Sequence, residues 1–210
     1  MTLVMVNLSV VQVGDPVLRR RAGEVPEREI TSESVTRLIE RMWSTLDAVP
    51  GVGLAAPQIG ESRRVVVVHD LPEFIEHYSE LQLLEREREV IEPYVLVNPV
   101  LSAVGYETRT HFEGCLSVEG YTAAVERFHQ VDVEYLDPMG HRHQMRVGGW
   151  HARILQHEVD HLDGMLYVDR MNTRTLCTTD AYSDLAALPT AEAVDRVTGA
   201  TGLEEQSPEP

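Results

Sequence analysis

The sequence predicts an α+β fold, with antiparallel or mixed β-sheets packed around a central helix that carries His157-Glu158-Val159-Asp160-His161. Two observations predict the helices. Apolar residues recur at helical spacing over 33–47 and again over 150–162. A third predicts the sheets: between those stretches lie β-branched runs and alternating segments, among them four consecutive valines at 65–68. The 210 residues, 43% of them hydrophobic, are enough for one core, so one main domain is expected.

The first helix is expected over 33–47. Thr31 and Ser32 can cap it, Glu33 suits the positive first turn, and Val35, Leu38, Ile39, Met42 and Leu46 form one apolar face. Pro50-Gly51 ends it. Gly51-Val52-Gly53-Leu54-Ala55-Ala56-Pro57-Gln58-Ile59-Gly60 is so rich in small residues that its backbone must be close-packed or sharply bent. Arg64–His69 reads as a buried strand. Residues 73–92, rich in Glu and Arg, read as an exposed helix or a long excursion. Tyr94–Val97 and Val100–Val104 read as two short strands around Asn98-Pro99. Residues 121–136 and 141–147 read as a hairpin turning at Asp137-Pro138-Met139-Gly140.

The second helix, 150–162, has a stripe of Ala152, Leu155, Val159 and Leu162, and Gly164 is a natural stop. After Cys177 the chain is mainly acidic, with Arg196 its one basic residue and a short helix expected over 186–197. The expected division is a catalytic domain over 1–175 and an acidic, partly disordered C-terminal extension over 176–210. Removal of the residues after about 178 is expected to leave activity on small substrates nearly unchanged.

The net charge of −16 argues against direct contact with nucleic acid, whose phosphates would be repelled. No stretch is apolar for the roughly 18–20 residues of a membrane span, so no membrane association is expected. Met1–Val13 lacks a basic start and a small-residue cleavage site, so no signal peptide is expected and the chain reads as cytoplasmic. In that reducing setting the two cysteines, Cys115 and Cys177, are expected as thiols.

The chemistry begins with His157 and His161. Four apart on a helix, they share a face, so both imidazoles can reach one ion, and Glu158 can address a water on it. Alone, this spacing also occurs on solvated helices. A catalytic site commonly takes three protein ligands and leaves a position open. Downstream, Asp163 is too close along the helix, Asp169 has no supporting context and Glu192 lies in the weak C-terminal region. Upstream, Cys115 in Glu113-Gly114-Cys115-Leu116-Ser117 is the better third ligand, because a thiolate suits a soft or borderline divalent ion. The other seven histidines, His141 and His143 among them, are expected at the surface.

Three segments, Gly51–Gln58, Glu113–Ser117 and Gln156–Leu162, resemble the motifs of the peptide deformylase family in residues, order and spacing. Val13–Arg19 is similar to that family's opening, so the likeness runs from about residue 11 to about residue 172. The resemblance implies a metal-dependent hydrolase that removes the formyl group from the formyl-methionine of newly made polypeptides. It implies an ion held by Cys115, His157 and His161, with an ion-activated water as nucleophile and Glu158 as general acid/base. It further implies the Gln58 side-chain amide and the Leu116 backbone N–H as oxyanion donors, and the Gly53 carbonyl pairing with the substrate like an added strand. Val52, Ile154 and Trp150, with Phe112, are the expected lining of a pocket for the methionine. Fe(II) is the implied physiological ion, with Zn, Ni or Co able to occupy the same site in a purified sample.

Two other readings stand beside this one. A zinc endopeptidase with Glu192 as third ligand would keep its metal in Cys115→Ser. A member without catalysis would show a broken motif, and Gln58, Cys115, Glu158 and both histidines are intact. Residues 73–92 read as an insertion relative to short members. Some bacterial members dock on the ribosome through a basic C-terminal helix, a mode of transient association that this acidic C-terminus does not support.

Overall fold

The structure is a computed structural model, and residues 9–200 are described. Its elements follow the chain as α1 (Glu33–Leu46), β1 (Gly53–Ala55), β2 (Val65–Asp70), α2 (Pro72–Ile75), α3 (Glu80–Arg86), β3 (Ile91–Ala103), β4 (Thr108–Cys115), β5 (Val118–Phe128), β6 (Gln130–Leu136), β7 (Arg142–Gly148), α4 (Gly149–Leu162), β8 (Cys177–Thr178), α5 (Thr179–Ser183) and α6 (Thr190–Thr198). Five strands form an antiparallel sheet in the order β1-β2-β3-β6-β7, and three form a second in the order β4-β5-β8.

The valine run explains the layering. Val65 and Val67 pack with Val35, Leu38, Met42 and Leu46 of α1. Val66 and Val68 pack with Ala152, Ile154, Leu155 and Leu162 of α4. Successive strand residues face opposite sides, so a strand covered on both faces must be apolar throughout. The large sheet therefore lies between α1 and α4, and α4 is central as expected. At the start of α1 the Ser32 hydroxyl accepts from the Val35 N–H at 3.4 Å.

Several sequence expectations change. The strands expected on either side of Asn98-Pro99 are one strand, β3, with a register shift between Val97 and Val100. Asn98 holds a left-handed φ of 54° there, and its side chain ties down both backbone groups of Val25 at 2.9 and 2.8 Å. The stretch 121–136 is not one strand. It breaks at His129, where the chain passes from the small sheet to the large one, so only β6 and β7 form the expected hairpin. An alternating pattern carries no mark of which sheet it joins. Strand β4 and helix α5 had no local signal.

Residues 73–92 are not simply exposed. Arg88 forms a bidentate pair with Asp70 at 2.7 and 2.9 Å, and both are buried. Helix α6 begins four residues later than expected and packs Ala193 against Phe112 and Ala124. The disorder expected at the extreme C-terminus falls on residues outside those described. His141 and His143 are exposed as expected, but His69 and His111 are buried. Among the described residues no helix is long and apolar enough to cross a membrane.

Candidate active site

Cys115, His157 and His161 converge, with one ligand atom from each lying within 4.8 Å of the others. The two histidines come from one face of α4, their ring centroids 5.1 Å apart. Cys115 ends β4, where the register shifts after Gly114 and the strand turns into β5. The Cys115 Sγ lies 3.3 Å from His161 Nε2. Cys115 and Cys177 are both free thiols. Glu192 has no part in the cluster: it accepts from Arg196 at 3.0 Å on α6.

The donor set fits a borderline divalent ion. His157 Nδ1 lies 2.9 Å from Glu113 Oε2. The Glu113 carboxylate can only accept, so the neutral ring carries its proton on Nδ1 and offers the Nε2 lone pair to an ion. Burial opposes charge on this ring, but Cys115 and Glu113 outweigh it and hold its pKa well above the ordinary value, so an ion would take the place of the Nε2 proton. Burial lowers the His161 pKa well below its ordinary value, which keeps that imidazole neutral. Glu158 Oε2 is buried without a hydrogen-bond partner, an arrangement that costs stability unless another group arrives to meet it. Burial pushes the Glu158 carboxyl up to about 7.

Glu113 belongs to the motif without a role expected from the sequence, and the structure places it directly behind His157. Its carboxylate accepts from Arg127 Nε and Nη2, each at 2.9 Å, and from Arg153 Nη1 at 2.6 Å, besides His157. Burial opposes its charge, but the hydrogen bonds from His157 and Arg127 outweigh that and hold its pKa well below the usual carboxylate range. Arg127 also reaches Asp160 at 2.5 Å, and Asp160 in turn accepts twice from Arg170. One signal was available: Arg153, Glu158 and Asp160 interrupt a helix that packs on all sides, and charges there need partners.

Gln58 sits in the 3₁₀ turn Ala56–Ile59 directly after β1. Its Oε1 accepts from the Ala55 N–H at 2.8 Å, which aims Nε2 inward, 3.7 Å from Cys115 Sγ. Gly53 lies on β1, the edge strand of the large sheet, with one side unpaired among the described residues. A Cβ at Gly51 would lie 3.0 Å from Leu116 Cδ1 and from Leu46 Cδ1, so a side chain there would press both leucines aside by a few tenths of an ångström.

A cleft of about 940 Å³ joins these groups. The expected residues Val52, Gly53, Gln58, Phe112, Cys115, Leu116, Trp150, Ile154, His157 and Glu158 all line it. His161 lies behind them and is not part of its wall. Residues from outside the motifs line it too: Phe74, Tyr78, Arg86 and Arg88 from the segment once read as an excursion, and Thr179 and Tyr182 from the C-terminal segment. The Tyr182 ring stacks on Phe112 at 4.4 Å.

The sequence profile of the family described as Polypeptide deformylase matches residues 7–176. Peptide deformylase 1A, chloroplastic/mitochondrial, of Arabidopsis thaliana is 46% identical over 183 residues, covering 87% of this chain and 66% of the plant protein. The chain thus spans just under two thirds of that relative's length. Peptide deformylase 3 of Streptomyces avermitilis is 42% identical over 186 residues, covering 88% of this chain and 80% of the relative. The solved structure of a Met-Ala-Ser-bound class I type b peptide deformylase from Acinetobacter baumannii superposes with a TM-score of 0.68. It is 34% identical and covers 77% of this chain and 96% of that one. With its Cys-His-His cluster on matching motifs, the chain belongs to the polypeptide deformylase family.

Proposed function

We propose that this chain is a metal-dependent amide hydrolase that removes the formyl group from N-formyl-methionyl peptides and releases formate. The observation that carries the reading is the Cys115–His157–His161 cluster, with Gln58 Nε2 beside Cys115 and the buried Glu158 carboxyl on the same cleft. Cys115, His157 and His161 would hold the ion, with Fe(II) expected and Zn, Ni or Co able to replace it. When bound, the ion supplies Lewis acidity, which polarises the formyl oxygen and makes water a better nucleophile.

The chain's own residues do the rest. Glu158 takes the proton of the attacking water and hands it to the leaving amine. Gln58 Nε2 and the Leu116 N–H donate to the tetrahedral oxyanion. The open edge of β1 pairs with the peptide backbone, the Gly53 carbonyl accepting from the first residue. Val52, Ile154 and Trp150, with Phe112, enclose the methionine side chain, whose flexible thioether suits an apolar pocket. Residues 1–175 form the catalytic unit and the acidic segment after them covers one wall of its cleft. The partner is the formyl-methionyl end of a nascent peptide in the cytoplasm. The acidic C-terminus gives no support to ribosome docking through that end.

The test is formate release from formyl-Met-Ala-Ser by the Fe(II)- or Ni(II)-loaded chain. Turnover is expected, and its absence overturns the reading. Metal content of Cys115→Ser separates this reading from an endopeptidase that binds its ion without Cys115. Loss of the ion is expected, and full retention would exclude Cys115 as a ligand.

A further inference from the structure

We propose that Gln12 is a positioning residue, whose side chain holds the Leu116 turn where the Leu116 N–H can meet the developing oxyanion. This rests on the reading of Gln58 and Leu116 as the two oxyanion donors. Those donors come from separate parts of the fold. Gln58 follows β1 at the edge of the large sheet, and Leu116 sits in the turn between β4 and β5 of the small one. The two sheets share no strand, so the distance between the donors needs another tie.

Residues 11–13 supply it. The Val11 N–H donates to the Gln58 carbonyl at 2.8 Å, and the Val13 N–H donates to the Ser117 carbonyl at 2.7 Å. Between them Gln12 Nε2 donates to the Leu116 carbonyl at 2.9 Å, with a longer contact to the Val10 carbonyl at 3.4 Å. Gln12 Oε1 accepts from the Glu119 N–H at 3.3 Å. Three consecutive residues therefore grip the Gln58 turn on one side and Leu116, Ser117 and Glu119 on the other.

The Val11 and Val13 contacts are backbone bonds that most residues would preserve. The Gln12 contacts are the part of the strap that depends on a side chain. A primary amide can donate to one backbone group and accept from another at once, which neither a carboxylate nor an ammonium can do. Gln12 is exposed, so its removal leaves no cavity in the core. The turn it holds is short and follows a register shift. The Leu116 side chain is anchored in the core, and on the polar side the backbone is held by Gln12, by the Val13 N–H and by the Ser117 N–H on Cys115 Sγ. An oxyanion donor acts through geometry, and displacement by a fraction of an ångström weakens it in the transition state far more than in the bound substrate.

The test compares the metal-loaded full-length chain with Gln12→Ala, Gln12→Glu and Gln12→Lys, using steady-state kinetics on formyl-Met-Ala-Ser and hydrogen exchange across residues 115–119. In Gln12→Ala and Gln12→Glu, kcat is expected to fall about ten-fold. KM is expected to stay within about two-fold. Exchange across 115–119 should quicken while the melting temperature holds. Gln12→Lys keeps a donor for the Leu116 carbonyl but has no acceptor for the Glu119 N–H, so it should recover only part of the kcat lost in Gln12→Ala. An unchanged kcat in Gln12→Ala, a loss confined to KM, or unchanged exchange would each overturn the proposal. If the wild type releases no formate, the deformylase reading falls and the catalytic role of Gln12 with it. The exchange result separates that outcome from a failure of the strap itself.

Discussion

The Cα of Gly53 lies against the Glu158 side chain, so that a methyl group there would sit 2.6 Å from Oε1 and 2.9 Å from Cδ and Cγ. The edge strand proposed to pair with substrate and the proposed proton carrier are thus in direct contact across the cleft. Glycine at 53 is required by that contact and not by its backbone, which has an ordinary negative φ. In Gly53→Ala either β1 or the Glu158 carboxyl must shift. The expected result is a fall in kcat/KM of about a hundred-fold, read by formate release. Metal content should be unchanged, because none of the three ligands moves.

Glu113→Gln tests the polar cluster behind the metal ligands. The variant keeps the size of the side chain but removes the charge that faces Arg127 and Arg153, exchanges one carboxylate oxygen for an NH2 group, and leaves His157 at most a neutral carbonyl acceptor. Metal affinity is expected to drop about 10- to 100-fold in a chelator competition. The melting temperature should fall as well, because buried Arg153 loses its counter-charge and Arg127 keeps only Asp160. Unchanged metal affinity would show that His157 needs no charged partner at Nδ1.

Gln58→Ala removes one proposed oxyanion donor and leaves the three ligands in place. kcat should fall by about 10²–10³ with metal content retained. A change confined to KM would assign the amide to ground-state binding instead.

His111 predicts a pH dependence of stability. Burial, with help from Arg153 and Arg86, pushes its pKa down to about 4. The unfolded chain binds this proton more readily than the folded one. The stabilising contribution is therefore complete above the ordinary imidazole value near 6.5 and is lost as pH falls from there through about 4. His111 meets Thr190 Oγ1 at 3.0 Å, so the loss should loosen α6 first. Denaturant unfolding at pH 7 and pH 5 should show a smaller pH effect in His111→Gln than in the wild type. An equal effect in both would refute the assignment.

Removal of residues 179–210 is expected to do harm, against the expectation from composition. Tyr182 covers Phe112, and Ala193 packs on the same patch. Uncovering an aromatic ring of that kind costs about 2 kcal/mol. The truncated chain should melt at a lower temperature and show a raised KM for formyl-Met-Ala-Ser, since Thr179 and Tyr182 line the cleft. An unchanged melting temperature and KM would restore the earlier view of a dispensable extension.

Much of the site could be read from spacing because it is local. His157 and His161 share a face by the period of the helix alone, whereas Gln58 is legible only through the resemblance of Gly51–Gln58 to the deformylase motif. The Ser32 cap, the Gly164 stop, whose φ is 75°, and the four-valine strand follow from near neighbours in the same way. Residue chemistry alone also made Cys115 the best third ligand.

What joins those pieces is not local. Glu113 meets His157 across 44 positions, and Gln12 meets Leu116 across 104. Neither contact leaves a pattern along the chain, because a hydrogen bond between distant residues constrains only two positions. The break at His129, the burial of His69 and His111, and the cover laid by residues 177–198 depend on which sheet a strand joins. Amino-acid order by itself therefore determined the reacting groups and the helix that presents them. The tertiary structure decided which charges hold those groups in place and which segments close the cleft, because burial and partnership arise only when distant segments pack together.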